Sequence, residues 1–270
     1  MTDAVKLEAP FYAATSDEID VFAAAWRQQL AVMLKGPTGC GKTRLVEHMA
    51  ARLDVPLMTV SCHEDMTASD LLGRFVLTGG DTEWVDGPLT QAVRLGGICY
   101  LDEVVEARQD AVVAVHSLTD HRRTMTLERL GGETIQAAPG FMLVVSYNPG
   151  YQSVLKDLKV STRQRMVGLD LTYPPADTER LIVSRESGLD DRRLDDLIRL
   201  GQALRRGKDA GLREVASTRT LIAAARLMQE GLGFRRAATA AIAAPLTDDE
   251  ALTAQLITVI DAYDSSSEHS

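Results

Sequence analysis

Eight residues, Gly36-Pro-Thr-Gly-Cys-Gly-Lys-Thr43, carry the pattern G-x-x-x-x-G-K-[ST], and that pattern has a definite chemistry. Glycines let the backbone curl until its N–H groups converge, and such a cradle at a helix start suits a chain of phosphates. Gly36, Pro37, Thr38, Gly39, Cys40 and Gly41 would form the cradle. Lys42 would reach the β- and γ-phosphates, and the Thr43 hydroxyl would ligate Mg²⁺. Asp102 and Glu103 follow 59 residues beyond Thr43, at the end of the apolar run Ile98–Leu101. A carboxylate there, Asp102, can hold the Mg²⁺ through water. The next, Glu103, can orient or deprotonate an attacking water, although alone it also reads as a solvated strand-end acid. Asn148 stands just past another apolar run, Phe141–Ser146. Its amide can bond the same water or the γ-phosphate, and a turn Asn before Pro149 is the plainer alternative. Together these residues imply binding and hydrolysis of a nucleoside triphosphate such as ATP.

The flanks supply the elements such chemistry needs. Ala31–Lys35 reads as a buried strand, and a helix-forming run with Leu45, Val46, Met49 and Ala50 follows the glycines. Pro56 and Leu57–Ser61 give a second strand, Ile98–Leu101 a third, Phe141–Ser146 a fourth and Val167–Thr172 a fifth. Upstream, Thr15-Ser-Asp-Glu18 is a capping box opening a helix with Ile19, Phe22 and Trp26 on one face. Phe11 and Tyr12 just before it suit core packing or the wall of an adenine pocket. Thr67–Leu72 reads as a short helix, Gly73–Gly80 as a hairpin or loop, and Asp86-Gly87-Pro88 as a helix restart. A helix is expected over Ala107–Asp120, with His116 packed beside its apolar stripe. Thr124–Ala138 alternates around Gly131-Gly132 as a hairpin, and Val154–Arg165 reads as helical. From Ala176 on there are only amphipathic helices, broken at Gly188, Gly207–Gly211, Gly231 and Pro245. The class is therefore α/β: a five-stranded nucleotide domain over 1–175, then a helical domain over 176–270.

Composition narrows the partners. A 45% apolar, 25% charged chain of 270 residues supports a sizeable core, and its net charge of −9 opposes a nucleic-acid motor. No apolar run approaches membrane-spanning length, and the N-terminus lacks signal-peptide blocks, so a cytoplasmic protein is expected. Cys40, Cys62 and Cys99 lack paired spacing and read as small fillers. His63-Glu-Asp65 is too compressed for a metal site and reads as a polar loop.

Several strings go further: LKGPTGCGKTR, TVSCHEDMTASDLLGR, DGPLTQAV, GGICYLDEVVEARQD, PGFMLVVSYNPGYQS, LKDLKVSTRQRM and VASTRTL. Through them the chain, over roughly Phe11 to Ala262, resembles the AAA+ ATPases of the MoxR group and, within it, the CbbQ/NorQ (NirQ) family. The resemblance implies an AAA+ core with a five-stranded parallel sheet, two β-hairpin insertions (about 66–88 and 123–139) and a small all-α lid. Lys42 and Thr43 then match Walker A, Asp102 and Glu103 Walker B, and Asn148 sensor 1. Arg165 matches the arginine finger that reaches a neighbouring subunit, a role Arg163 is placed to share, and Arg219 matches the sensor 2 arginine. Phe75 and Leu77 on the first hairpin become candidates for gripping a substrate at a ring pore. The aromatic-hydrophobic-Gly loop of threading unfoldases is not evident.

The resemblance also implies a homo-hexameric remodelling ATPase working with a von Willebrand A domain partner, CbbO- or NorD-like. The client would be Rubisco freed of inhibitory sugar phosphates or, as the alternative, nitric oxide reductase under maturation. The first is favoured on overall resemblance, with no residue deciding it. Two other classes compete: a nucleic-acid motor of the same superfamily, and a scaffold that binds ATP but barely hydrolyses it.

Overall fold

The structure, a computed structural model, describes residues 9–149, 160–207 and 215–264. Two compact units are present: one comprises the chain to Pro37 and Lys42–Leu171, the other Thr38–Gly41 with the chain from Thr172 on. The first contains α1 (Glu18–Arg27), β1 (Ala31–Lys35), α2 (Lys42–Leu53), β2 (Leu57–Ser61), α3 (Ala68–Leu72), β3 (Gly73–Thr78) and β4 (Asp81–Asp86). It continues through α4 (Pro88–Leu95), β5 (Ile98–Asp102), α5 (Gln109–Ala114), β6 (Thr124–Leu127), β7 (Glu133–Gln136), β8 (Met142–Tyr147), α6 (Val160–Arg163) and β9 (Met166–Asp170).

Five of these strands form one parallel sheet in the order β2-β5-β8-β1-β9. Interior parallel strands are covered on both faces and need continuous apolar runs, which AVML of β1, ICYL of β5 and MLVV of β8 provide. Register then places the chemistry. Leu34 lies opposite Ser146 and Lys35 opposite Tyr147 on one side of β8, and Leu101 opposite Val145 on the other. The carboxyl ends of β1, β5 and β8 thus finish side by side, and Gly36, Asp102-Glu103 and Asn148 emerge at one edge. Crevices outside that edge of an α/β sheet are where ligands bind.

Two antiparallel hairpins decorate this unit. The β6–β7 hairpin turns at Gly131 and Gly132, both at positive φ, and buries Met125, Leu127 and Ile135 in the core. The β3–β4 hairpin turns at Gly79-Gly80 and does the opposite, leaving Phe75, Val76, Leu77 and Val85 exposed.

Local readings of the sequence needed adjustment at three places. Glu18 does reach back to the N–H of Thr15 (2.8 Å), as a capping box requires, but α1 itself starts only at Glu18. A reciprocal capping pair joins Thr67 and Asp70 instead, the Asp70 carboxylate accepting from the Thr67 N–H at 2.9 Å. The helix expected over Ala107–Asp120 is cut to the short α5 and a 3₁₀ turn at His116–Leu118, with another 3₁₀ turn at Val104–Glu106 preceding it. Asp110 at the start of α5 accepts the N–H of Ala68 (3.2 Å), so a tertiary bond to α3 sets where the helix begins. Of the helix expected over Val154–Arg165, residues 154–159 lie outside the described ones, and α6 covers Val160–Arg163 of the rest.

The second unit is helical: α7 (Ala176–Ser187), α8 (Arg192–Arg206), α9 (Thr218–Gln229), α10 (Phe234–Ala238), a π-helical turn Thr239–Ala243, α11 (Ala244–Leu246) and α12 (Glu250–Tyr263). Val183, Leu197, Leu221, Phe234, Ile242 and Ile260 share its core. Helix ends at Leu246, one residue beyond Pro245 and so close to the break expected at that proline. The widened turn before the proline absorbs the missing N–H and the ring's clash with the preceding turn. Within this unit Glu179 is fully buried and bidentately held by Arg205, with both bonds at 2.7 Å, and Thr218 Oγ1 donates to it as well (2.6 Å). The Arg205 guanidinium also lies 4.1 Å from the centroid of the Tyr173 ring.

Candidate nucleotide site

Lys42 begins α2 and is buried. A buried ammonium must place its three protons on acceptors. Nζ donates to the carbonyls of Gly36 (2.9 Å) and Pro37 (3.0 Å) and to Asn148 Oδ1 (2.5 Å). The amide of Asn148 then turns its other end to Glu103, Nδ2 donating to Oε1 at 3.1 Å. One asparagine therefore spans the loop lysine and the carboxylate expected to act on water, so it is more than a turn residue.

Glu103 itself occupies the left-handed region, φ 55° and ψ 45°. That conformation costs a residue with a side chain about 1–2 kcal/mol, so its surroundings must hold it. The holding contacts are visible: its N–H donates to Ser146 Oγ (3.1 Å) and its carbonyl accepts from the Glu106 N–H (2.8 Å), closing the 3₁₀ turn. The sharp turn takes Glu103 off the line of β5 and brings its carboxylate within reach of Asn148.

Asp102, one residue earlier, is held differently. Its Oδ1 accepts from the Tyr100 hydroxyl (2.7 Å) and from Ser146 Oγ (2.5 Å), while Oδ2 faces Thr43 Oγ1 at 3.4 Å. Tyr100 also approaches Thr43 Oγ1 at 3.4 Å. Burial pushes the phenol of Tyr100 well above its usual pKa, so it remains a donor at any working pH. Thr43 and Asp102 offer hard oxygen donors beside the phosphate cradle, a set that fits Mg²⁺ with its retained waters. Cys62 lies close enough for burial, and then the charges of Asp102 and Glu103, to push its thiol up to about 12. All three cysteines are buried and free of disulfides.

The tip of the cradle belongs to the second unit. There the Tyr173 hydroxyl donates to the carbonyl of Thr38 (3.0 Å). Gly39 has φ +72°, and a Cβ on it would lie 2.6 Å from Ser217 Cβ and 3.5 Å from Arg219 Cβ. Glycine is required there by both backbone and space. Ser217 caps α9, and Arg219 is exposed in the first turn of that helix.

The predicted residues thus fall into groups. Lys42, Thr43, Asp102, Glu103 and Asn148 are brought together by direct bonds, and Arg219 stands by the cradle tip. Arg165 is exposed where β9 begins, an edge strand, and its side chain makes no bond among the described residues. Arg163, at the end of α6, is half-buried. Phe75 and Leu77 sit on the β3–β4 hairpin, with Phe75 packed edge-on against Trp84 and Leu77 74% exposed. Phe11 and Tyr12 are half-buried, and Tyr12 packs near the His48 ring and donates to Glu18 (2.9 Å). Three residues escaped sequence reasoning: Tyr100, Ser146 and Tyr173. The available signal for the first two was a hydroxyl inside a run otherwise wholly apolar.

Comparison with known proteins agrees with this geometry. Residues 31–166 match the AAA domain of the dynein-related subfamily, and residues 179–263 match the CbbQ/NirQ/NorQ C-terminal domain. The denitrification regulatory protein NirQ of Pseudomonas aeruginosa is 58% identical over 94% of this chain and 97% of its own. Protein NorQ of Paracoccus denitrificans is 57% identical over 90% of both chains. Protein CbbQ of Hydrogenophilus thermoluteolus is 52% identical over 89% of this chain and 90% of its own. Among solved structures, a putative ATPase from Cytophaga hutchinsonii shares the fold at a TM-score of 0.53 and 20% identity, covering 79% of this chain and 73% of its own. With the phosphate loop, the acidic pair and the C-terminal helices all accounted for, the chain belongs to the CbbQ/NirQ/NorQ family of AAA+ ATPases.

Proposed function

We propose that the chain is the motor of a protein-remodelling complex, hydrolysing Mg²⁺-ATP at subunit interfaces of a homo-hexameric ring. The carrying observation is the set of bonds from Lys42 through Asn148 to Glu103, next to the Asp102–Thr43 pair. ATP phosphates lie along Gly36–Thr43, with Lys42 exchanging its carbonyl and amide partners for phosphate oxygens. Thr43 and, through water, Asp102 would hold Mg²⁺, which would supply neutralisation of charge on the phosphates. Glu103 takes a proton from the attacking water, and Asn148 places that water. Arg165 of one protomer reaches the γ-phosphate of the next, with Arg163 beside it, and Arg219 reads the γ-phosphate from the lid. A scaffold that binds without turnover would not need Asn148 and Glu103 bonded to each other. Glu103→Gln is the direct test. Its ATP turnover should fall by about 10²–10⁴ with nucleotide binding retained, and unchanged turnover would sink this assignment.

The identities of 58% and 57% to NirQ and NorQ against 52% to CbbQ now weigh toward the denitrification side. We therefore assign nitric oxide reductase, acted on with a NorD-like von Willebrand A domain partner, as the client. The Rubisco reading with a CbbO-like partner stands second, supported by the motifs the branches share. Co-expression with each partner and client separates them. ATP- and Glu103-dependent gain of nitric oxide reductase activity supports the first. Carboxylation regained by ribulose-bisphosphate-inhibited Rubisco, without that gain, would transfer the assignment to the second.

A further inference from the structure

Asp102 uses its two carboxylate oxygens for different purposes. Oδ1 is committed to the scaffold, accepting from Tyr100 (2.7 Å) and Ser146 (2.5 Å), and both these residues are fully buried. Among the described residues Oδ2 bonds only the Thr43 hydroxyl, at 3.4 Å, on the side of the phosphate loop. A carboxylate on a freely turning side chain would present either oxygen. Here two hydroxyls fix which one faces Thr43. Ser146 has a second task, since its oxygen accepts the N–H of Glu103 (3.1 Å) while its proton goes to Asp102. One hydroxyl on β8 thus fastens the carboxylate that faces Thr43 and the backbone of the left-handed residue beside it.

We infer that Tyr100 and Ser146 are positioning residues for metal binding, which lock the Asp102 carboxylate so that Oδ2 alone serves the water shell of Mg²⁺ on bound nucleotide. Outer-shell partners of this kind raise affinity by orienting a ligand in advance, and losing one typically costs 10- to 100-fold in metal affinity. The shell here is indirect, so the lower end of that range applies. Apart from the 3.4 Å approach of the Tyr100 hydroxyl to Thr43 Oγ1, neither side chain bonds the phosphate loop among the described residues, so nucleotide affinity without metal should change little.

The inference rests on the nucleotide site proposed above, and the experiment keeps the two apart. Binding of a fluorescent ATP analogue is titrated in Mg²⁺ and in EDTA for wild type, Tyr100→Phe, Ser146→Ala and, as a control, Lys42→Ala. The expected result is an affinity ratio, Mg²⁺ over EDTA, about ten-fold lower in Tyr100→Phe and Ser146→Ala, with EDTA affinity within about two-fold of wild type. Wild-type ratios in both variants overturn the inference. So does an equal loss in Mg²⁺ and EDTA, which marks a structural role only. Ser146→Ala removes a fully buried bond, and if it fails to fold, Tyr100→Phe, which deletes one oxygen from an otherwise unchanged ring, decides alone. No binding by wild type in either condition would overturn the nucleotide reading itself, and the inference with it.

Discussion

At the residue scale, the polar side chains at the sheet edge are placed by the bonds they make to one another. Asn148 illustrates this most clearly, because its amide has one acceptor and one donor end and both are used. Lys42 requires the acceptor and Glu103 the donor. Asn148→Asp keeps the size and the Lys42 bond but sets a second carboxylate against Glu103. Turnover should therefore fall by about ten-fold or more while the KM for ATP changes little, because Lys42 keeps an anionic partner. Steady-state kinetics with matched KM and kcat measurements check this, and a loss confined to KM would contradict the role. Cys62 gives a second check on the same environment. Its thiol is displaced to about 12 from an ordinary value of 9.0, so it stays protonated where an exposed cysteine ionises. At pH 9 the thiolate population should be on the order of 500-fold below that of an exposed cysteine. Iodoacetamide at that pH should leave Cys62 unmodified in folded protein and label it in urea, as read by mass spectrometry. Rapid labelling of the folded form would show the Asp102–Glu103 end of the sheet to be open.

At the element scale, legibility followed burial. The three interior strands could be read because covered parallel strands are apolar throughout, as AVML, ICYL and MLVV are, and their short length between turn residues favours strand over helix. The loop lysine, the acidic pair and Asn148 were legible because motif spacing fixes them to strand ends. The helix over Ala107–Asp120 was not read correctly, since an apolar period looks the same whether the segment runs straight or is interrupted by 3₁₀ turns. The bond from the Ala68 N–H to Asp110 at the start of α5 is tertiary, and no local pattern contains it. Tyr100 and Ser146 were missed for a related reason: register between strands, not spacing along one, brings their hydroxyls to Asp102. Two elements make stability predictions. Burial pushes the Glu18 carboxyl up, but the N–H groups of Thr15 and Ser16 and the Tyr12 hydroxyl outweigh it and hold its pKa below the ordinary 4.5. Its stabilisation is therefore fully present above about pH 4.5 and is lost as pH falls through the lower folded value. Glu18→Ala should cost about 1–2 kcal/mol near pH 7, read by urea unfolding, with the gap to wild type narrowing as pH falls from the ordinary 4.5 through the lowered folded value. A gap that does not change with pH would assign the loss to packing. In the helical unit, Glu179→Ala strands the Arg205 guanidinium among buried groups and should cost about 3–5 kcal/mol. A paired Glu179→Met, Arg205→Met variant should recover most of that loss, and failure to recover would mean that the bonds to Thr218 and Ala216 carry the stability instead.

At the scale of the whole molecule, the proposed reaction calls for a second cation on the γ-phosphate besides Lys42. Among the cations expected from the sequence to act on the γ-phosphate, Arg165 has an exposed side chain with no bond among the described residues, at the start of the edge strand β9. An arginine on the outer strand suits a site completed by a second copy, because closed rings join unlike faces of neighbouring protomers. A finger supplied in trans contributes roughly 10³–10⁵ in rate in related phosphate-loop enzymes, so hydrolysis should depend steeply on assembly. Specific activity should rise with protein concentration as rings form. Mixing gives the sharper test. Glu103→Gln supplies an intact Arg165, and Arg165→Ala supplies an intact Glu103, while neither alone has a complete site. In an equal mixture about a quarter of adjacent pairs place a sound Glu103 beside a sound Arg165 from the neighbour, and activity should return to about that fraction. If Arg165 acted within its own chain, every site in the mixture would still lack one group and no activity would appear. The same mixture with Arg163→Ala in place of Arg165→Ala distinguishes the two arginines. Arg163→Ala rings that are already active before mixing leave Arg165 as the finger, whereas dead rings rescued by Glu103→Gln transfer the role to Arg163.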